Sequence, residues 1–561
     1  MHRWNPSGGL AWQVPAMRGP LGWLFGTHPG ATVLRAGYAI NTIREGTFIM
    51  LSMLGGNPGR SVDDSVDPDN YPQYFGNPGS VTISSATLPS RPFPASPTYP
   101  FSPQPTDSIN GFQPNLKLGY VQSWNFGLQR ELGKSMVMEV RYTGNHGSDL
   151  WRQVALNEAN IYENGFLTEW NNAYNNLMIA RQSNPTSTNF GDQGLPGQVN
   201  IPFIQTAYGR TSSSTFAYYL TQNEPGRYAY VFSYANPYLS NWMKAGYPAN
   251  FFIVNPAVSS GGTYLVNNLS SSYYDALQVE VRRRLTQGLM LDGSYVWSKS
   301  LFDGPASDAN LYTPQPTTYR NLRLDRVPTP FDIPQAFKLQ AIYELPFGPG
   351  HRFCSGGGPL AHRILGGWEL AGVDRNQSGT PMQLASGRYG MNQNDPGVVL
   401  HNITAAQLQN MMSIQKTTGS NGTGVLYYLP QSFINNSNAA FGINGQTTAN
   451  LNPNAPYIGP QLTPGQFGYE IFLWGPWQNH FDLSLMKKTH ITERVSVDFT
   501  ANFLDILNLT NFQLPCSSVL CSGGQNLSSA NFGQTTSAYQ DLSNAQDPGA
   551  RVIEFRLRLN F

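Results

Sequence analysis

Apolar and polar residues alternate with a period of two wherever this chain has a clear pattern. In one segment, Trp124, Phe126 and Leu128 alternate with Ser123 and Asn125, so one face is apolar and the other is polar. This alternation predicts ten or eleven strands. They cover residues 121–132, 135–146, 273–285, 289–298, 336–346, 367–379, 478–488, 494–507 and 552–561, with weaker patterns at 10–14 and 32–42.

The predicted strands are long, at roughly 9 to 14 residues, and a tilted strand needs this length to cross a bilayer. Strands of soluble proteins cluster at about 5 or 6 residues. The lengths therefore favour an all-β protein with membrane-spanning strands over a soluble sandwich or propeller.

Long and short connections alternate between these strands. Outer-membrane barrels have short periplasmic turns and long extracellular loops, so the alternation predicts a transmembrane outer-membrane β-barrel with Phe561 at its periplasmic rim. The long connections are rich in Asn, Ser, Gly, Pro and Tyr, which predicts polar irregular loops, with a short strand at Tyr228 to Tyr234. The long connections are 43–120, 147–272, 301–335, 380–477 and 508–550, and the short ones are 133–134, 286–288, 347–366 and 489–493.

The last strand ends the chain on an aromatic residue. Phe555, Leu557, Leu559 and Phe561 alternate with charged residues, as expected of a closing strand with one face in lipid. This ending looks like the C-terminal signal by which the barrel assembly machinery recognises outer-membrane proteins. The alternative is an edge strand of a soluble sheet.

Several phrases, in their order along the chain, resemble the barrel of Oar-like TonB-dependent receptors. The likeness covers most of residues 5–561. The phrases are TVLRAGY (32–38), YVQSWNFGLQR (120–130), YTGNHG (142–147), YYDALQVEVR (273–282), YVWSKS (295–300), YELPFG (343–348), GGWELAG (366–372) and FLDILNLTN (503–511).

The resemblance implies an energy-coupled receptor in the outer membrane. Its loops capture an extracellular substrate for uptake or export, a plug moves, and TonB supplies the force. Such receptors carry a signal peptide, a plug and 22 strands in all. Neither a signal peptide nor a plug is recognisable in residues 1–561, so we expect this chain to be the C-terminal part of such a barrel, with TonB contacting a region upstream of Met1.

Composition agrees with a barrel and excludes other classes. Charged residues are 12% and aromatic residues 12% of the chain. The net charge is +1 and no basic block occurs, which gives no electrostatic case for nucleic acid. No apolar run reaches the 18 or more residues of a helical span.

The chain also contains few residues that predict chemistry. HExxH, GxSxG, GxxxxGK[ST] and CxxC motifs are absent and the eight histidines are scattered, so we expect neither an enzyme nor a cofactor. Cys516 and Cys521 are close enough to form a disulfide, with two free thiols as the alternative, and Cys354 has no obvious partner. The inward polar positions are candidates for lining a lumen, or for contacting a plug or one another. They are Arg35, Arg141, Glu280, Arg282, Asp482 and Arg556.

Two features of the loops remain open. An acidic cluster could bind calcium, or could simply be solvated. A group of tyrosines could stack on sugars or grip a peptide, or could pack the loop on itself. The cluster is Asp63, Asp64, Asp67 and Asp69, and the tyrosines are Tyr218, Tyr219, Tyr228, Tyr230, Tyr234 and Tyr238.

Three functions therefore compete. The first is the energy-coupled receptor. The second is a structural or adhesive outer-membrane barrel without transport. The third is a soluble secreted β-protein, which strand length and the terminal Phe561 disfavour.

Overall fold

Among the residues that the computed structural model describes, eleven antiparallel strands follow one another in the main sheet, and we call them the wall. Each strand pairs with its neighbours in chain order, and β1 and β11 are the two ends of the row. The strands are β1 (Ser7–Gln13), β2 (Thr32–Thr42), β3 (Tyr120–Glu131), β4 (Met136–Ala155), β5 (Thr263–Thr286), β6 (Leu289–Phe302), β7 (Gln335–Glu344), β8 (Trp368–Gln377), β9 (Gln478–His490), β10 (Ser496–Leu504) and β11 (Val552–Asn560). The prediction of ten or eleven antiparallel strands is confirmed.

The structure describes most of the chain. The described residues are 4–43, 57–58, 103–133, 135–303, 317–348, 350–356, 358–394, 397–418, 424–444, 447–448, 451–492, 494–512, 526–535 and 550–561. Among them, no helix combines the length and the apolar character that a membrane span requires.

Register makes the two faces of the wall continuous from strand to strand. Phe126 of β3 lies opposite Ala36 of β2 and Tyr142 of β4. Residues directly opposite one another in an antiparallel pair point to the same face, so the apolar positions of one strand extend those of the next. The wall therefore has one apolar face and one polar face.

Successive connections lie at alternate ends of the wall, because neighbouring strands are antiparallel. The hairpin between β5 and β6 turns at Gln287 and Gly288, whose φ angles are 54° and 75°. Two successive positive φ angles fit the type I′ turn that matches the twist of paired strands. Two other connections at this end contain the helices α1 (Gly19–Phe25) and α7 (Pro359–Leu365).

Two strands extend well beyond the rest of the wall. β4 has 20 residues and β5 has 24, and their pairing continues from Gly147 to Ala155 across two register shifts. The predicted strands stopped at residue 146 and started at residue 273, because a bulge interrupts the period of two. Residues Ile109–Phe112 add a short parallel strand to the extension of β5.

The connection between β4 and β5 forms a packed helical body, which corrects the prediction of polar irregular loops. The rings of Phe166, Trp170, Phe216 and Phe232 are fully enclosed in its core. Apolar residues are dispersed among Asn and Ser over several short helices, so composition concealed the core. The helices are α2 (Phe166–Ser183), α3 (Pro202–Tyr208), α4 (Ser214–Gln222), α5 (Pro225–Tyr234) and α6 (Tyr238–Lys244).

The predicted strand at Tyr228 to Tyr234 is wrong, since these residues belong to helix α5. Tyr228 and Phe232 are both buried and lie four residues apart, which is a helical spacing. Pro225 occupies the first turn, where its missing N–H is tolerated. The long row of aromatic residues has a high β propensity, and tertiary packing overrides it.

A second packed body is formed by the connection between β8 and β9 together with residues 526–535. Tyr428, Phe433, Phe441 and Phe532 share its core. It contains the helices α8 (Ala405–Asn410) and α9 (Gln431–Ala440). Its short strands are Pro381–Leu384, Val398–Leu400, Gln415–Thr418, Gly424–Tyr427, Ile443–Asn444, Thr447–Thr448, Ile458–Pro460, Ile471–Trp474 and Gln534–Thr535. We call the two bodies, together with residues 317–334, the cap.

We predict that Trp170→Ala opens the first body of the cap and leaves the wall intact. Trp170 is 0% exposed, and truncating a buried tryptophan costs about 3–5 kcal/mol. Protease cleavage within residues 158–253 should increase in intact membranes, while the strands of the wall stay protected. Tyr174→Ala is the matched control on the same helix, because Tyr174 is 40% exposed. Equal cleavage of the two variants would contradict this account of the core.

Candidate functional site: a polar face beneath a folded cap

All six inward candidates lie on the polar face of the wall. Arg35 lies opposite Gly127, Gly127 opposite Arg141, and Arg141 opposite Gln278. Asp482 and Arg556 follow by the same alternation through β8, β9 and β10. The six residues therefore share one face of the wall, and their position in a lumen stays a prediction.

Charged residues of this face, Glu131 and Arg284 among them, surround one recess near the end of the wall that has short connections. Arg35, Glu139, Glu280 and Arg282 line a space of about 610 Å³. Glu139 and Glu280 lie directly opposite each other, an arrangement that is unfavourable between like charges. Each has an arginine on its own strand, with Arg282 Nε 2.5 Å from a Glu280 oxygen and Arg141 3.9 Å from Glu139. The arginines thus offset the repulsion.

Asp482 is also engaged within the wall. Its carboxylate lies 2.8 Å from Nε2 of His480 and accepts a hydrogen bond of 2.9 Å from the backbone N–H of Asp505. These contacts tie β9 to the residues that follow β10. They give Asp482 a structural role whether or not it contacts a solute.

Glu158 joins three long connections of the chain. One carboxylate oxygen accepts hydrogen bonds from the hydroxyl of Thr318 at 2.7 Å and from the side-chain amide of Asn392 at 2.9 Å. The other oxygen accepts from the backbone N–H of Tyr319 at 2.7 Å. Glu158 follows β4, Thr318 lies between β6 and β7, and Asn392 lies between β8 and β9. One half-buried carboxylate therefore fastens the parts of the cap together.

A buried ion pair fastens the cap to the extended part of the wall. Arg152 of β4 donates from its guanidinium to the carboxylate of Asp325, and both side chains are buried. The other Asp325 oxygen accepts from the backbone N–H and the hydroxyl of Thr317, at 2.9 and 2.6 Å. A buried carboxylate is tolerated only when it is paired and hydrogen-bonded in this way.

A second buried cluster joins the two bodies of the cap. Glu224 precedes α5 and pairs with Arg227 and with Arg388, whose nearest nitrogen is 3.5 Å away. The Arg388 guanidinium also donates to the backbone carbonyl of Phe441 at 3.1 Å. Gly226 packs so closely on Asn392 that an added Cβ would lie 2.4 Å from its backbone. The two bodies therefore meet in a tight polar interface.

Sequence reasoning missed the residues of these interfaces. Arg152, Glu158, Glu224, Asp325 and Arg388 lie in stretches read as solvated loops or at their borders. The low charge of the chain could have identified them. Charged residues are rare in its Asn- and Ser-rich stretches, so each carboxylate there is expected to pair with a specific partner.

The remaining candidates have different outcomes. Cys516, Cys521 and the acidic cluster at residues 63–69 lie outside the described residues. Cys354 is exposed and free. The group of tyrosines lies on helices α4, α5 and α6 of the first body, where Tyr228 is buried and Tyr238 stacks on Tyr208, so it packs largely within that body. In the described ranges, no group of three or more His, Cys, Asp or Glu side chains is arranged to hold a metal ion.

Comparison with known proteins identifies the type of wall. Residues 2–553 match the family described as outer membrane beta barrel domain. The chain belongs to this family. A search of the curated proteins found no significant match.

Solved structures resemble the chain only weakly. The outer membrane transporter YddB from Escherichia coli matches with 10% identity over 95% of this chain and 38% of its own, with a TM-score of 0.35. The ferripyoverdine receptor from Pseudomonas aeruginosa has 8% identity over 100% of this chain and 33% of its own, with a TM-score of 0.33. The ferric-catecholate import receptor Fiu from E. coli K12 has 7% identity over 99% and 34%, with a TM-score of 0.31. The chain thus spans about a third of the length of these proteins.

Family membership places the wall in the outer membrane. The apolar face of such a barrel contacts lipid and the polar face lines its interior. The apolar face of this wall is therefore its lipid side, and the polar face is its inner side. Outer-membrane barrels in general have long extracellular loops, so we expect the cap on the extracellular side. β11 presents Phe555, Leu557 and Leu559 on the apolar face, and Phe561 follows at the rim.

We predict that Arg152→Ala loosens the cap far more than Arg320→Ala does. Removing one partner of a buried ion pair costs about 3–5 kcal/mol, because the other charge stays buried and unpaired. Arg320 pairs with Glu163 at 2.5 Å on the surface, where such a pair contributes about 0.2–1 kcal/mol. Hydrogen exchange of the amides at 317–325 measures the difference. Equal exchange in both variants would contradict the role assigned to Arg152.

Alkaline pH should also open the cap. Burial raises the pKa of Tyr162 from 10.0 to about 12, and its hydroxyl donates a hydrogen bond of 2.6 Å to the carbonyl of Gly465 in the second body. Because the pKa is higher in the folded state, this contact contributes fully below pH 10 and is lost as the pH rises from 10 to 12.

An absorbance titration of tyrosinate, with hydrogen exchange at Gly465, measures this loss. Tyr162→Phe should remove the pH dependence of the Gly465 protection factor, which is the exchange rate corrected for intrinsic base catalysis, and Tyr174→Phe, which changes an exposed tyrosine, should preserve it. An unchanged profile in Tyr162→Phe would assign the alkaline opening to other tyrosines.

Proposed function

We propose that this chain forms the C-terminal part of an energy-coupled outer-membrane transporter, whose cap captures a solute outside the cell. The observation that carries the proposal is the fastening of three long connections into one cap above the polar face, through Glu158, Asp325 and Glu224. A solute-capturing receptor needs such a preorganised surface beside a polar passage. The resemblance to Oar-like TonB-dependent receptors supports coupling to TonB.

The proposal includes further strands in the wall. The outer edges of β1 and β11 have no partner strand among the described residues. An unpaired strand edge is not tolerated in lipid, so we infer that additional strands complete a barrel of about 22 strands. A plug within that barrel would contact TonB, and the barrel assembly machinery would recognise β11 and Phe561.

The six candidate residues of the polar face are proposed to line the lumen. Arg141, Glu280 and Arg282 are engaged with neighbours on the same face, which leaves a surface of paired charges in place of a single strong field. We therefore do not assign the solute to a charge class. Arg35 and its neighbours around the recess are the last residues that a solute leaving the barrel towards the periplasm would pass.

The proposal is tested in the organism that carries the gene. Cells with the native gene, with a deletion, and with Arg152→Ala are grown in complex medium, with and without a protonophore, and depletion of medium solutes is followed by mass spectrometry. We expect at least one solute whose depletion needs both the native chain and an energised membrane, and whose depletion is weaker with Arg152→Ala. Arg320→Ala is the matched control and should behave as native.

The same strains separate transport from adhesion. If no solute depends on the gene but attachment of the deletion strain to surfaces or to other cells is lost, the chain is a structural or adhesive barrel and the transport proposal fails. TonB is tested by the same depletion assay in a strain without TonB, where uptake should stop.

A further inference from the structure

We propose that helices α1 and α7 are interfacial anchors that lie in the phospholipid leaflet at the periplasmic rim of the wall. Both helices lie in connections at the end of the wall opposite the cap. The inference rests on membership of the outer-membrane barrel family, and not on transport.

The two helices expose large apolar side chains in a way that the buried cores of the cap do not. Trp23 of α1 is 83% exposed, and Leu360 and Ile364 of α7 are 72% and 58% exposed. No residue of α7 is buried. Leu360 and Ile364 are four residues apart and share one side of the helix. In the cap, by contrast, Trp170 and Phe216 are fully enclosed.

Side chains from the apolar face of the wall hold α1. Arg130 is two residues beyond Leu128 on β3 and lies on the same face, at the rim. Its guanidinium donates to the carbonyl of Trp23 at 3.0 Å and to the hydroxyl of Thr32 at 3.1 Å. The helix is therefore attached to the lipid-facing side of the wall.

The attachment of α7 follows the same design with different residues. Trp368 and Lys487 lie opposite each other on the apolar face of β8 and β9. The indole N–H of Trp368 donates to the carbonyl of Ile364 at 3.0 Å, and the Lys487 ammonium donates to the carbonyl of Gly366. The same ammonium lies 5.3 Å from the centre of the Trp368 ring. Two helices far apart in sequence are thus held at the same rim and on the same face.

The occupant that fits these surfaces is phospholipid. Exposed apolar side chains that continue an apolar wall at its rim meet the boundary between headgroups and acyl chains. Tryptophan is favoured at that depth, and Trp23 and Trp368 both lie at this rim. Arg18 and Arg363 flank the apolar side chains and are exposed, where they can reach lipid phosphates. A seven-residue helix is marginal in water, and lipid contact stabilises it.

The test measures depth in the bilayer. A fluorescent amino acid is encoded at Trp23, Ile364, Phe126 or Val254 in separate full-length chains, which are reconstituted in phosphatidylethanolamine–phosphatidylglycerol vesicles. The lipids carry bromine either near the headgroup or near the end of the acyl chains. Phe126 reports the apolar face of the wall, and Val254, which is 69% exposed in the cap, reports water.

We expect fluorescence at positions 23 and 364 to be lost mainly with shallow bromine, and fluorescence at position 254 to be unaffected by either lipid. The proposal would be overturned if brominated lipid quenches position 126 but leaves positions 23 and 364 as unaffected as position 254. Lack of quenching at position 126 would show that the wall is not in the bilayer, which also overturns it. Neither result depends on solute uptake, so a failure of the transport proposal is recognised separately.

Discussion

In the core of a bilayer, no water is present to replace a missing hydrogen bond of the backbone, and the wall of this protein is organised by that constraint. Strands β2 to β10 are paired along both edges. Pairing in register fixes the faces, because a slip of one residue would turn every apolar side chain to the polar side. This pairing in register determines the two faces of the wall and the end at which each connection lies. It also determines the positions of the candidate lumen residues.

Above the wall the chain is surrounded by water in place of lipid, and its apolar residues are packed differently there. Strands β4 and β5 continue past the membrane as a ribbon that supports the cap. In water, apolar residues must be enclosed, and the cap encloses Trp170 and Phe433 in separate cores. At the opposite rim, α1 and α7 leave Trp23 and Ile364 exposed. The distribution of enclosed and exposed apolar residues thus follows the surroundings of each region.

A small number of charged side chains hold several connections of this protein together. Asp325 and Glu158 each receive several hydrogen bonds, and the donors to each carboxylate belong to two separate segments of the cap or wall. Such buried polar groups are costly when one partner is removed, so the cap behaves as one unit. On the polar face of the wall, Glu280 pairs with Arg282 along its own strand, which leaves no large field of one sign.

The sequence by itself determined the wall. A period of two, strand length and short turns predicted its strands, its antiparallel hairpins and the common face of Arg35, Arg141 and Asp482, because these properties depend on residues close in the chain. Only the tertiary structure decided the cap. Trp170 and Phe232, or Arg152 and Asp325, are far apart in sequence and show no local period, so their contacts arise from how the connections pack. Tyr228 illustrates the difference, since its local propensity favours a strand and its packing partners make it helical.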